Sequence, residues 1–129
     1  MIVVDSSVFI AHMRNQLVPP VQKLRSISDL STIIVGDIVL LELLHGTRTE
    51  AAAGALEARL RRFEVRNMLS TRIAIEAARN YRHLRQRGIT IRKTIDMIIA
   101  TYCINEGHYL LHHERDFTPM AEHLGLKVL

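Results

Sequence analysis

Short apolar runs, longer helical patterns and polar breaks alternate along this chain. Ile2-Val3-Val4 is a β-branched run that stops on Asp5, and the hydroxyls of Ser6 and Ser7 follow, which predicts a strand that switches into a helix and presents Asp5 to solvent. Val8, Phe9, Ala11, His12 and Met13 fit the inner side of that first helix, ending near Arg14-Asn15. Pro19-Pro20 suits the first turn of a second helix running to about Ser28. A second strand is expected at Thr32-Ile33-Ile34-Val35, closed by Gly36. Asp37 then caps a third helix over 38–45, ended by Gly46. Thr49 and Glu50 open an alanine-rich helix to about Arg62, with a short strand at Phe63-Glu64-Val65. From Thr71 to Gln86 the period predicts a long helix with Ile73, Ala77, Tyr81 and Leu84 inside, Arg72, Arg79, Arg82 and Arg85 outside, and Gly88 as its stop. Thr94 caps the next helix, 95–104, which Gly107 ends. Tyr109-Leu110-Leu111 is a strand, 118–124 a short helix and 127–129 a final edge strand. Strands alternating with helices imply a three-layer α/β/α architecture around a mostly parallel sheet.

Composition narrows this little. The chain has 129 residues and 48% hydrophobic content, so residues 1–129 are read as one domain with a single core and no linker. A single cysteine, Cys103, allows no internal disulfide; it lies in an apolar helical run and reads as a core thiol in a reducing, cytoplasmic setting. No apolar run approaches the length of a membrane span, and the N-terminal run has no basic region before it, so a soluble, unsecreted protein is expected. There is no repeat, no CxxC pair and no glycine-rich phosphate loop.

The acids carry the chemistry. Glu42 lies among Leu40, Leu41, Leu43 and Leu44, and Asp96 between Ile95 and Met97-Ile98-Ile99. A helix apolar nearly all round is buried. An ionised carboxylate buried there without a partner costs several kcal/mol, comparable to the stability of a small domain. Neighbouring sequence offers few arginines as compensators, whereas a divalent cation such as Mg²⁺ or Mn²⁺, which chooses carboxylate oxygens and water, would serve both acids. Asp5 at the end of the first strand, with Glu114 and Asp116 after the fourth, adds acids at strand ends. If those strands are neighbours across the switch point of the sheet, the acids converge on one crevice. Each acid taken singly is also explained as a cap or an ion pair. Ser6 and Thr94 stand next to two of them, either to orient a water or simply as caps.

In this order and spacing the acids resemble the PIN-domain ribonucleases, and the details resemble the VapC-type toxins of toxin–antitoxin pairs; the resemblance covers essentially the whole chain. Asp5 in Ile-Val-Val-Asp-Ser-Ser matches the family's first acid, Ser6 its usual hydroxyl neighbour, Glu42 in Leu-Leu-Glu-Leu-Leu-His-Gly its glutamate, and Asp96 in Thr-Ile-Asp-Met-Ile-Ile-Ala its third acid. His112-His113-Glu114-Arg115-Asp116-Phe117 resembles the closing motif but departs from it, with Glu114 where an aspartate is usual, so either Glu114 or Asp116 is the fourth ligand. The resemblance implies metal-dependent endonucleolytic cleavage of RNA with Mg²⁺ or Mn²⁺ on these carboxylates. It also implies an antitoxin whose segment lies in a groove between the early helices and sets an arginine against the acids, a homodimer for which the alanine-rich helix offers a face, and higher-order complexes with the antitoxin.

Charge fits a polyanionic substrate. Seventeen Lys and Arg against thirteen Asp and Glu give a formal charge of +4, and eleven of the basic residues fall between Arg59 and Lys93. Arg72, Arg79, Arg82 and Arg85 are candidates to track a phosphate backbone, or else a solvated helix face. With 5% aromatic residues there is no stacking platform for bases. His108, His112 and His113 are read as polar residues around a strand rather than a zinc site. A phosphotransfer domain is disfavoured because Asp5 has no acidic neighbour and Ser7 stands where a second aspartate is wanted. The remaining alternative is a catalytically inactive PIN-like binding module.

Overall fold

The computed structural model describes residues 1–129. In chain order the elements are β1 (Ile2–Val4), α1 (Ser6–Met13), α2 (Pro19–Ser26), β2 (Ile33–Gly36), α3 (Asp37–His45), α4 (Glu50–Leu60), β3 (Glu64–Arg66), α5 (Thr71–Gln86), α6 (Thr94–Glu106), β4 (Tyr109–Leu111), α7 (Thr118–His123) and β5 (Lys127–Val128), with 3-10 turns at Leu30–Thr32 and Arg115–Phe117.

The five strands form one sheet in the order β3-β2-β1-β4-β5, and every pairing is parallel. The chain steps outward from β1 to β2 to β3 and then returns past β1 to lay β4 on its other side. Right-handed crossovers therefore place α1 to α4 on one face and α5 to α7 on the other. Within these layers α1 packs on α2 and α3, α3 on α4, and α5 on α6. Val3, Val4, Ile33, Ile34, Val35, Leu110 and Leu111 are all buried, as expected of parallel strands covered on both faces. Because β1 and β4 are neighbours, the sheet opens its switch point at the residues that follow Val4 and Leu111.

The two apolar helices differ. In α6, Asp96 and every residue from Met97 to Cys103 are buried. In α3 only Val39 and Leu43 are buried, Leu41 is 61% exposed and Glu42 is half-buried, which corrects the expectation that an apolar sequence places Glu42 inside.

Two helix starts also differ from expectation. Gly36, not Asp37, is the N-cap of α3; the Asp37 carboxylate accepts from the backbone N–H of Ile38 at 2.9 Å and of Met68 at 3.0 Å, tying α3 to the segment after β3. A Cβ at Gly36 would run into the end of the Met68 side chain, which packs into the space that glycine leaves and would have to move. Lys93, not Thr94, is the N-cap of α6, and no side chain caps that helix. Gly107, with φ of 71°, ends α6 in the left-handed conformation that glycine adopts without penalty.

Candidate functional site

Asp5 ends β1, and its backbone N–H reaches Leu111 O at 2.9 Å, extending the β1–β4 ladder. It is not presented to solvent: it is 3% exposed. Its two carboxylate oxygens do different things. Oδ2 caps α1, accepting from Ser7 N at 3.0 Å and Ser7 Oγ at 2.5 Å, while Oδ1 is buried with no hydrogen-bond partner. Ser7 Oγ in turn accepts from His113 N at 3.0 Å, so the loop after β4 is pinned to the start of α1. Capping and site membership are thus properties of one residue.

Around Asp5 the fold gathers Ser6, Ser7, Arg14, Glu42, Lys93, Asp96, His113 and Glu114 on the wall of one cavity of about 290 Å³. Ser6 Oγ donates to Glu42 Oε1 at 3.2 Å, fixing the glutamate that α3 supplies. Asp96, in the first turn of α6, is 4% exposed and its Oδ2 is buried without a partner. Glu114 follows β4; its N–H donates to His112 Nδ1 at 3.2 Å and its Oε2 lies 3.5 Å from Lys93 Nζ.

Other expected residues stay outside. Asp116 lies in the 3-10 turn after Glu114 and is not on the cavity wall, although its Oδ2, like Asp5 Oδ1 and Asp96 Oδ2, is buried without a partner. Thr94 is exposed and neither lines the cavity nor caps α6. Arg72, Arg79, Arg82 and Arg85 are exposed on α5, away from the cavity wall; Arg72 pairs with Glu76 at 3.2 Å, and the Arg85 guanidinium sits 5.5 Å from the centre of the Tyr81 ring. Sequence reasoning missed Ser7, Arg14, Lys93 and His113. Lys93 had a readable signal, since it stands three residues before Asp96 and so opens the same helical turn; Arg14 and His113 had none.

Charge crowding marks the site. Burial, and next the Asp5 carboxylate, push Asp96 up to about 7. Burial and Asp5 also raise Glu42, against the opposing hydrogen bond from Ser6. Burial pulls Lys93 down, but Glu114, Asp96 and Asp5 together outweigh it and hold its ammonium above the usual range. The site is short of positive charge even with Lys93 in place.

Whether the residues suit a divalent cation follows from their oxygens. No three His, Cys, Asp or Glu side chains are gathered tightly enough to coordinate an ion as they stand. Mg²⁺ keeps several waters and binds through one or two carboxylates, and the partnerless Asp5 Oδ1 and Asp96 Oδ2 are donors of that kind. The set fits a hydrated hard cation.

Solved structures share this fold. VapBC2 from Rickettsia felis, bound to a DNA fragment from its promoter, superposes with a TM-score of 0.78 at 21% identity, covering 100% of this chain and 98% of that one. VapBC-1 from nontypeable Haemophilus influenzae gives 0.77 at 18% identity, covering 100% and 97%. VapBC-5 from Mycobacterium tuberculosis, described as a member of the VapBC family of toxin–antitoxin systems, gives 0.66 at 21% identity, covering 98% and 95%. At these identities the likeness is one of fold. The family model of the PIN domain matches residues 2–122, a span that holds every acid on the cavity wall, and on that match the chain belongs to the PIN domain family.

Proposed function

We propose that this chain is a metal-dependent endoribonuclease of the VapC type, the toxin of a toxin–antitoxin pair, working in the cytoplasm. The observation that carries the reading is the meeting of Asp5, Glu42, Asp96 and Glu114 on one cavity wall, with two buried oxygens left to bind. Asp5, Asp96 and Glu114 would hold Mg²⁺ or Mn²⁺. A cation bound there supplies Lewis acidity toward a scissile phosphate and makes the attacking water more acidic. Ser6 holds Glu42 by Oε1, Ser7 holds Asp5 by its other oxygen, and the buried walls of β1 and α6 keep the carboxylates in a poorly hydrated setting.

Support for an antitoxin partner comes from an apolar groove of about 350 Å³, lined by Phe9, Met13, Leu24, Ile27, Leu56 and Phe63 and rimmed by Arg25, Arg59 and Arg62. It suits an amphipathic helix with acidic flanks. An adjoining hollow shares Met13, Leu56 and Arg59 with this groove and Arg14 and Glu42 with the acid cavity, giving a seated peptide a path to the carboxylates. Leu41 and the exposed alanines Ala51, Ala55 and Ala58 of α4 favour a homodimer. The RNA track along α5 rests on Arg79 and Arg82, which are not engaged by a neighbouring acid or ring.

The test is cleavage of RNA by purified, partner-free protein with Mg²⁺ or Mn²⁺ and with chelator, using Asp96→Asn as the contaminant control. Cleavage is expected only with metal and only in the unmodified chain. The ion pair of Lys93 with Glu114 favours a second reading, an inactive PIN-like binding module; equal RNA loss in both proteins, together with no metal binding by calorimetry, would establish it instead.

A further inference from the structure

Lys93 is the lysine in a cavity of carboxylates, and the chemistry above gives it no task. Its backbone is fixed as the N-cap of α6 and its side chain makes no capping bond. The side chain is 56% exposed and reaches Glu114 Oε2 at 3.5 Å, with Asp96 and Asp5 acting on the same ammonium. A single pair that exposed contributes little to folding, so holding the fold together does not account for it. Two demands of the site do. A divalent cation arriving among these acids meets a positive charge already lying against one of its prospective ligands. A phosphodiester arriving there meets four carboxylates that repel it and needs a cation on the protein side; of the two on the wall, Lys93 and Arg14, Lys93 is the one in contact with an acid of the site, and the uncapped N–H groups at the start of α6 add positive character beside it.

We propose that Lys93 is the phosphate-contacting residue of the cleavage site, and that without substrate it rests on Glu114, where it competes with the divalent cation. The proposal rests on the nuclease reading. It makes Glu114 a shared group, paired with lysine when the site is free and released to the cation when the ammonium moves to a phosphate oxygen. It also gives the longer acid at this position a use: a glutamate reaches the lysine across the mouth of the cavity.

The competing demands predict opposite signs in one variant. Mn²⁺ binding by calorimetry and RNA cleavage over a salt series would be measured on the unmodified protein, Lys93→Met and Lys93→Arg. Lys93→Met is expected to bind Mn²⁺ about fivefold tighter, because a neighbouring like charge is gone. Its KM for RNA is expected to rise about tenfold with kcat less affected, and its salt dependence to flatten by about one phosphate contact. Lys93→Arg keeps the charge and should restore the KM. Lys93→Met binding Mn²⁺ no tighter than the unmodified protein, or cleaving with unchanged KM, overturns the proposal while leaving the nuclease reading intact. Unmodified protein that cleaves no RNA removes the nuclease reading and this proposal with it.

Discussion

Helices α3 and α6 have nearly the same kind of sequence, an apolar run with one acid inside it, and opposite fates. Helix α6 lies against the sheet and α5 and buries its acid at 4% exposure; α3 buries two residues and leaves Leu41 in the open. The difference is topological. Helix α6 is the crossover that returns the chain over the sheet to β4, so layers close on it from both sides, whereas α3 crosses near the β2–β3 flank and packs on β2, α1 and α4. An apolar run therefore marks a helix that can be covered without stating by what, and on α3 its own chain leaves Leu41 uncovered.

This contrast can be broken most severely at the acid of α6. Asp96→Asn should lower RNA cleavage by at least about a thousandfold, since a cation held by carboxylates contributes several kcal/mol to the transition state. Circular dichroism should show the fold intact, because the variant removes one charge from a crowded set. The same residue should set the pH dependence of stability. Its carboxyl is raised to about 7 in the fold and lies near 3.9 when unfolded. The folded chain thus holds the proton more tightly, and metal-free protein should lose on the order of 4 kcal/mol as pH climbs from about 4 to about 7. Urea titrations across that range should show the fall in the unmodified protein and a much flatter profile in Asp96→Asn; a flat profile in both would mean Asp96 is ionised throughout.

Packing gives the next step down. Ile99→Ala in α6, at 0% exposure, should cost about 3 kcal/mol in chemical denaturation. Ser6→Ala frees Glu42 of α3 from its only side-chain hydrogen bond and should slow cleavage by about tenfold or somewhat more, the low end of the worth of one charge-assisted bond. Leu41→Ala should change the stability of the isolated chain by less than about 0.5 kcal/mol. It should nonetheless shift sedimentation toward monomer if a second copy covers α3.

Much of the fold was legible because its strands are continuous β-branched or leucine-rich runs and because α5 repeats its apolar positions without interruption. Asp5, Asp96 and Glu114 stood out because each follows a strand or opens a helix, and Glu42 because it interrupts the apolar run of α3. What escaped depends on residues distant in sequence. Asp37 looks like a cap until Met68 arrives to share its oxygen, and the exposure of α3 depends on where β3 and β4 lie. Capping at Asp5 does not exhaust the residue, because Oδ2 caps α1 while Oδ1 is left buried without a partner. His113 and Arg14 enter the cavity through backbone placement alone, which no local pattern records.

The position of β4 beside β1 also governs when the cavity can exist. Ile2 pairs with Tyr109, near opposite ends of the chain, while Ile33, Ile34 and the third strand arrive much earlier. As the chain leaves the ribosome at about 5–20 residues per second, Asp5 is made first and Glu114 almost last, with β4 needed to bring them together. The acid cavity therefore cannot assemble until nearly all of the chain has emerged, and the early helices are exposed before it exists.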